Sequence, residues 1–178
     1  MMLGMQLQRR RFPARLLGLF GLFACASGSA AKTAIGVVLA RNAPPGIDPS
    51  GYLVSEKYDG VRALWDGTDL RFRSGLRIAA PAWFTAKLPA MALDGELWLG
   101  RGQFDALSGT VRKAQPVDAQ WQQVRYMVFE LPQATGTFAQ RAAQLQGIVR
   151  AAAWPALQAV EQVTVASPAA LQAKLKAT

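Results

Sequence analysis

Two β-prone segments joined by a short polar turn constrain the fold of this chain most strongly. Val61–Trp65 and Leu70–Arg73 flank the residues DGTD at positions 66–69, and this composition is typical of a tight turn between antiparallel strands. Further strands are predicted at Tyr52–Glu56, Met91–Leu99, Val124–Leu131 and Val160–Val165. Helices are predicted at Pro81–Lys87, Phe104–Lys113, Phe138–Ala153 and from Pro168 through Lys176. Because a hairpin comes first and helices then alternate with strands, we expect an α+β domain with mostly antiparallel β-sheets flanked by helices.

The composition removes several kinds of chemistry. The 178 residues include no histidine and one cysteine, Cys25. This excludes Ser-His-Asp and Cys-His catalysis, a disulfide within the chain and the commonest zinc sites. Any chemistry must therefore use lysine, arginine, carboxylates, hydroxyls or a bound metal. The net charge is +9, and such a basic chain is compatible with a polyanionic partner, although the charge alone favours simple solubility.

Residues 1–30 have the three parts of a secretory signal. Four arginines precede the apolar run Leu16–Ala26, and the small residues SGSAA follow at positions 27–31. The run is too short to span a bilayer comfortably, so we expect cleavage near Ala30 or Ala31 and export to the bacterial periplasm. An uncleaved anchor is the alternative. The next segment, residues 31–51, is predicted to be a linker, and we expect no stable membrane association once the signal is removed.

The sequence SEKYDGVR at residues 55–62 contains a candidate nucleophile, Lys57. A lysine amine attacks phosphorus or carbonyl carbon only after it loses its proton, and a neighbouring cation such as Arg62 favours that loss. Gly60 permits a tight turn between the two residues. Lys57 and Asp59 also lie on one face of an extended segment, so an ordinary surface ion pair is the competing interpretation.

Three further segments carry candidate site residues. LDGELW at residues 93–98 places Asp94 and Glu96 on one face of an apolar strand, where a metal such as Mg²⁺ or another cation is the natural partner. Phe129, in the segment YMVFELP, can stack on a nucleobase or belong to the core. Arg73, in the segment RFRSG, can bind a phosphate or protect a sheet edge.

The order KYDGVR, RSG, LDGELW and VFELP resembles motifs I, Ia, III and IIIa of the covalent nucleotidyltransferases, which include DNA ligases, RNA ligases and mRNA capping enzymes. The resemblance is strongest to small exported ATP-dependent DNA ligases and covers residues 40–178. It implies an adenylation domain of the ATP-grasp-like type, with ATP and Mg²⁺ as cofactors and nicked double-stranded DNA as the partner of a monomer.

The resemblance also implies a role for each matching residue. Lys57 would attack the α-phosphate of ATP and form a lysine–AMP intermediate, and Arg62 would contact the nucleotide. Glu96 would bind the ribose or the metal, and Phe129 would stack on adenine. The remaining two matches are Glu56, which would line the nucleotide site, and Arg73, which would touch the 5′-phosphate of the nick.

The chain departs from the family pattern after residue 160. Glu161 is followed by glutamine instead of the glycine of motif IV, and Lys174 and Lys176 lie in a predicted helix instead of motif V. We therefore expect residues 52–178 to form a partial adenylation domain without the OB domain, and to seal nicks poorly. A non-catalytic periplasmic remnant that binds nucleotide or DNA is one alternative, and an RNA ligase of the same superfamily is another.

Overall fold

A computed structural model describes residues 42–177 of the chain. The predicted signal segment lies outside the described residues. Within residues 42–177, seven strands form two sheets: β1 Leu53–Val54, β2 Val61–Trp65, β3 Leu70–Phe72, β4 Leu93–Trp98, β5 Arg125–Glu130, β6 Leu157–Ala159 and β7 Val163–Thr164. In the same described part of the chain, five helices accompany them: α1 Ala82–Thr85, α2 Phe104–Val111, α3 Asp118–Trp121, α4 Phe138–Ala152 and α5 Pro168–Ala177.

The larger sheet has the strand order β3-β2-β4-β5-β6. Its pairs are antiparallel except for β5 and β6, which run parallel. Strands β1 and β7 form a separate antiparallel pair. The prediction of an α+β fold rich in antiparallel pairing is confirmed.

One face of the large sheet carries the hydrophobic core. The alternating residues of the three central strands point to it, because side chains one strand residue apart face opposite sides. The core cluster includes Val61, Ala63 and Trp65 from β2, Leu93 and Leu97 from β4, and Tyr126 and Val128 from β5. Helices cover this face with Phe84, Leu107, Val111, Trp121 and Leu145. The opposite face is therefore the one on which polar groups can assemble.

Most predicted helices and strands are confirmed, and most of them are shorter than predicted. The DGTD hairpin forms between β2 and β3, and the helix from Pro168 begins where Ser167 Oγ accepts the N–H of Ala170 at 3.1 Å. The strand predicted at Tyr52–Glu56 is reduced to the two residues of β1, because only that stretch pairs with β7.

The prediction of one strand at Val160–Val165 is wrong. The chain instead places β6 before this segment and β7 within it, and the two short strands belong to different sheets. β6 pairs with β5, and the N–H of Val160 donates to the Val128 carbonyl at 2.8 Å before the chain leaves that sheet. Helix α3 was not predicted, because four residues of mixed polarity give no helical periodicity.

The described part of the predicted linker is a loop. It contains one 3-10 turn at Pro49–Gly51, which is capped because the Asp48 carboxylate accepts the N–H of Ser50 at 3.0 Å. Within residues 42–177, none of the helices has the length and apolar character needed to cross a membrane.

Candidate functional site

The strand register gathers the predicted site residues on the sheet face opposite the core. Arg62 of β2 lies directly across from Glu96 of β4, and Glu96 lies across from Met127 of β5. Residues opposite each other in antiparallel strands project from the same face. Asp94, two residues before Glu96, shares this face. The polar groups of motifs I and III thus lie side by side.

A β-bulge adds Phe129 to this group. The pairing of β4 with β5 shifts between Asp94 and Gly95, which lie opposite Glu130 and Val128 respectively. Phe129 is therefore the extra residue of β5, and a bulge of this kind re-aims a side chain next to a functional site. The Phe129 ring lies 5.3 Å from the Arg62 guanidinium carbon, which is a cation–π distance. Phe129 is half-buried, so part of its ring stays accessible to a planar ligand.

The loop that carries Lys57 is held close to Glu96 by a glycine. A Cβ atom on Gly60 would collide with the carbonyl oxygen of Leu97 and with Cγ of Glu96. The N–H of Gly60 also donates to the Glu96 carboxylate. Lys57 is exposed, and its charge interacts with the carboxylate of Glu96. The structure therefore brings Lys57, Arg62, Glu96 and Phe129 together.

Asp94 was expected to share a cation with Glu96, and its partner in the structure is instead Arg62. Its carboxylate accepts two hydrogen bonds from Arg62, from Nε at 3.0 Å and from Nη2 at 2.6 Å. Asp94 is only 1% exposed, and the Arg62 side chain is 16% exposed. Such a bidentate pair fixes both the position and the plane of the guanidinium. The spacing of Asp94 and Glu96 suggested a shared cation, but one of the two carboxylates is occupied by an arginine of the chain itself.

Burial raises the pKa of Glu96 to about 7, although Arg62, Lys57 and the N–H of Gly60 oppose the shift. The folded protein therefore holds this proton more tightly than the unfolded chain does. The contribution of Glu96 to stability is therefore full below pH 4.5, the ordinary pKa of glutamate, and is lost as the pH rises through 7. We expect a loss of up to about 3 kcal/mol in the free energy of unfolding across this range.

Urea unfolding of the parent and of Glu96→Gln between pH 4.5 and 8 measures this effect. The glutamine variant cannot ionise at this position, so its stability is expected to fall less with rising pH. Parallel stability curves for the two proteins would mean that Glu96 titrates in the ordinary range.

The other two predicted residues are Glu56 and Arg73. The Glu56 carboxylate pairs with Arg101, which donates from Nη2 at 2.7 Å and from Nε at 3.2 Å. Its part in nucleotide binding stays a prediction. Arg73 follows Phe72, the last residue of β3, whose partner is Ala63. The hairpin register thus places Arg73 at the end of β2 from which Arg62 projects. The neighbouring Arg71 is held by Asp66 and Asp69.

Glu130, the residue after Phe129, is bonded to other groups of the chain. It accepts from Arg141 of α4 at 2.6 and 2.7 Å and from the N–H of Leu131 at 2.7 Å. The same Arg141 donates to the carbonyl of Gly136 at 2.8 Å. This network ties the loop after β5 to the start of α4, so Glu130 stabilises the strand end that carries Phe129.

The described residues contain no cluster of three or more histidine, cysteine or acidic side chains suited to a metal. One carboxylate is nevertheless enough for Mg²⁺, which usually keeps several waters and is completed by substrate phosphates. Glu96 fits this requirement, because it faces Lys57 and Arg62. Asp94, in contrast, is held in a bidentate pair with Arg62.

The chain is similar to known DNA ligases. A DNA ligase of Haemophilus influenzae is 36% identical over 115 residues, which cover 65% of this chain and 42% of that protein. The solved structure of a Lig E DNA ligase, studied for DNA binding with a minimal scaffold, is 42% identical with a TM-score of 0.68. The match covers 74% of this chain and 52% of the Lig E chain.

A more distant neighbour shows the same fold. The adenylate form of Chlorella virus DNA ligase has a TM-score of 0.56 at 15% identity. The match covers 68% of this chain and 47% of the viral chain. No family model matches the sequence. The chain spans about half the length of the relatives it matches.

Proposed function

We propose that this chain, a relative of the ATP-dependent DNA ligases, transfers AMP from ATP to Lys57 as the first step of DNA nick sealing. The sequence similarity to DNA ligases supports the reaction class. The close approach of Gly60 to Glu96 carries the proposal, because it brings the Lys57 loop against the face that holds Arg62 and Phe129.

The geometry suits nucleotidyl transfer to an amine. The Lys57 nitrogen, after losing a proton, forms a bond to the α-phosphorus of ATP. The bond from that phosphorus to the oxygen bridging to the β-phosphate breaks, and pyrophosphate leaves with the electron pair. Transfer of this kind depends mainly on positioning and on offsetting phosphate charge. Arg62, oriented by Asp94, would do both.

The rest of the nucleotide would be bound by the neighbouring side chains. Phe129 offers part of a ring face for adenine, and stacking on an aromatic ring suits any planar base. Glu96 would bind the ribose or hold Mg²⁺. When bound, Mg²⁺ would offset the charge of the phosphates.

The later steps of the proposal concern DNA. The AMP would pass to the 5′-phosphate at a nick in duplex DNA, and the adjacent 3′-hydroxyl would displace it and join the strand. Arg73 is exposed and would contact the 5′-phosphate. We propose that the protein acts as a monomer in the periplasm. The signal-like residues 1–30 support the periplasmic location.

Labelling with ATP that is radioactive at the α-phosphate tests the first step. The full chain is expected to acquire label that survives denaturation and is released by acid. Lys57→Ala is expected to lose the label completely, because the substitution removes the amine that is proposed to carry AMP.

Lys113→Ala is the matched control. Lys113 donates to the Gln120 side chain at 2.8 Å at the end of α2, so its loss removes an exposed lysine without touching the candidate site. Equal labelling of Lys57→Ala and the parent would refute the proposal. Binding of ATP without any covalent label would favour the non-catalytic alternative.

A further inference from the structure

The loop that carries Lys57 contacts the end of β4 through alternate residues. The side of the loop that faces β4 is half-buried, whereas Lys57 and Asp59 are exposed. The contacts are the pairs Glu56–Arg101, Tyr58–Trp98 and Gly60–Leu97. Such alternation is typical of an extended segment, in which consecutive side chains point to opposite sides. The residues on either side of Lys57 are therefore fixed to β4 or to the turn after it.

An edge-to-face contact between two aromatic rings is the central one of these three. The ring centres of Tyr58 and Trp98 lie 5.0 Å apart, and the ring planes meet at 79°, an arrangement that aromatic pairs favour. Arg125 lies opposite Trp98 in the pairing of β4 with β5, and its guanidinium carbon is 5.9 Å from the centre of the Trp98 ring. Trp98 is thus contacted both by the Lys57 loop and by the neighbouring strand.

The other two contacts hold the loop less firmly. The Arg101 side chain is 53% exposed in its pair with Glu56, and ion pairs in such exposed positions contribute little. Gly60 has no side chain, so it permits a close approach to β4 without a side-chain contact of its own. An aromatic pair buries a large apolar area and is not screened by salt. The contact between Tyr58 and Trp98 is therefore the strongest side-chain attachment next to Lys57.

The position of Trp98 on β4 links this attachment to the candidate site. Trp98 is the last residue of β4 and comes two residues after Glu96. Side chains two residues apart in a strand project from the same face, so Trp98 continues the row formed by Asp94 and Glu96. One strand therefore carries both the carboxylate that interacts with Lys57 and the ring to which the Lys57 loop is attached.

We propose that Tyr58 and Trp98 are positioning residues for the transfer of AMP, and that their ring contact holds the Lys57 amine within reach of the α-phosphorus of ATP. This inference rests on the proposed function for its reaction. Neither ring needs to touch the nucleotide. ATP would be bound by Arg62, Glu96 and Phe129 whether or not the Lys57 loop is in place. Loss of the ring contact would therefore slow the transfer and leave the affinity for ATP unchanged.

Single-turnover labelling of the full chain over a range of ATP concentrations tests this proposal. The measurement gives a maximum rate and a half-saturating concentration of ATP. Trp98→Leu and Tyr58→Leu are each expected to lower the maximum rate about tenfold, because the amine then spends less time in place. The half-saturating concentration is expected to stay within about twofold of the parent value. Trp98→Phe keeps a ring at this position and is expected to recover most of the rate.

A double variant tests whether the two rings act through one contact. Tyr58→Leu combined with Trp98→Leu is expected to label as slowly as either single variant, because each substitution already removes the shared contact. Independent roles would instead multiply the two losses and overturn the proposal.

Trp83→Leu is the matched control. Trp83 is also a half-buried tryptophan in an edge-to-face contact, with ring centres 5.8 Å apart, but its partner is Phe84 of α1, on the core side of the sheet. This variant is expected to label at the parent rate. Urea unfolding establishes that each variant is folded under the labelling conditions. If Trp98→Leu does not fold, Tyr58→Leu and Trp98→Phe decide the outcome.

Several results would overturn this inference. These are labelling of Trp98→Leu or Tyr58→Leu at the parent rate, a raised half-saturating concentration with an unchanged maximum rate, no recovery in Trp98→Phe, and an equal loss in Trp83→Leu. The same assay separates the inference from the proposed function. Absence of label in the parent, or label that persists in Lys57→Ala, defeats the proposed function. Label on Lys57 with unchanged rates in the ring variants defeats only the positioning role.

Discussion

Asp94→Ala is expected to lower the free energy of unfolding by about 3 kcal/mol and to abolish labelling of Lys57. The substitution removes the carboxylate that receives both hydrogen bonds from Arg62. The guanidinium, only 16% exposed, then loses both of these hydrogen bonds and keeps the charge interaction with Glu96, and removal of one partner is the costly way to break such a pair. Chemical denaturation gives the stability, and labelling with radioactive ATP gives the reaction.

A double variant separates stability from chemistry in this prediction. Replacing both members by apolar groups, as in Arg62→Met with Asp94→Val, leaves no unpaired charge and is expected to recover most of the lost stability. Labelling is expected to stay absent, because the cation that would contact the nucleotide is gone. Labelling of the double variant at the parent rate would show that Arg62 has no part in the reaction.

The local chemistry of the site could be predicted from the sequence because it depends on residue type and on the alternation of side chains along a strand. Alternation along a strand placed Asp94 and Glu96 on one face, and the pairing of β4 with β2 agrees with this. The glycine after Asp59 indicated only a tight turn, whereas in the structure it allows a close approach to Leu97 and Glu96 of β4. The hairpin between β2 and β3 was predicted for the same reason, since its turn residues lie next to each other in the chain.

The partners across the sheet could not be predicted in this way. Arg62 and Asp94 are 32 residues apart, and only the register between β2 and β4 decides that they meet. The bulge that re-aims Phe129 has no local signal either, because residues 126–129, YMVF, show no alternation of apolar and polar side chains. The parallel strand β6 was missed because a three-residue strand carries too little alternation to be recognised.

Gly60→Ala is expected to slow labelling of Lys57 about 100-fold while the protein stays folded. The added methyl group cannot be accommodated by a side-chain rotation alone, because one of the groups it would strike is the backbone carbonyl of Leu97. The other is Cγ of Glu96, so the loop must move away from the carboxylate. A displacement of about 1 Å at a reacting group is enough for a rate loss of this size.

Gly51→Ala is the control for this change, since a Cβ atom there meets nothing within 4 Å. Gly51 lies at the end of the 3-10 turn before β1, so it tests whether any added methyl group upstream of Lys57 slows the reaction. The parent and Gly51→Ala are expected to label at the same rate, and single-turnover measurements compare them with Gly60→Ala. If Gly60→Ala labelled as fast as Gly51→Ala, the close approach between the Lys57 loop and Glu96 would be a packing feature without a role in the transfer of AMP.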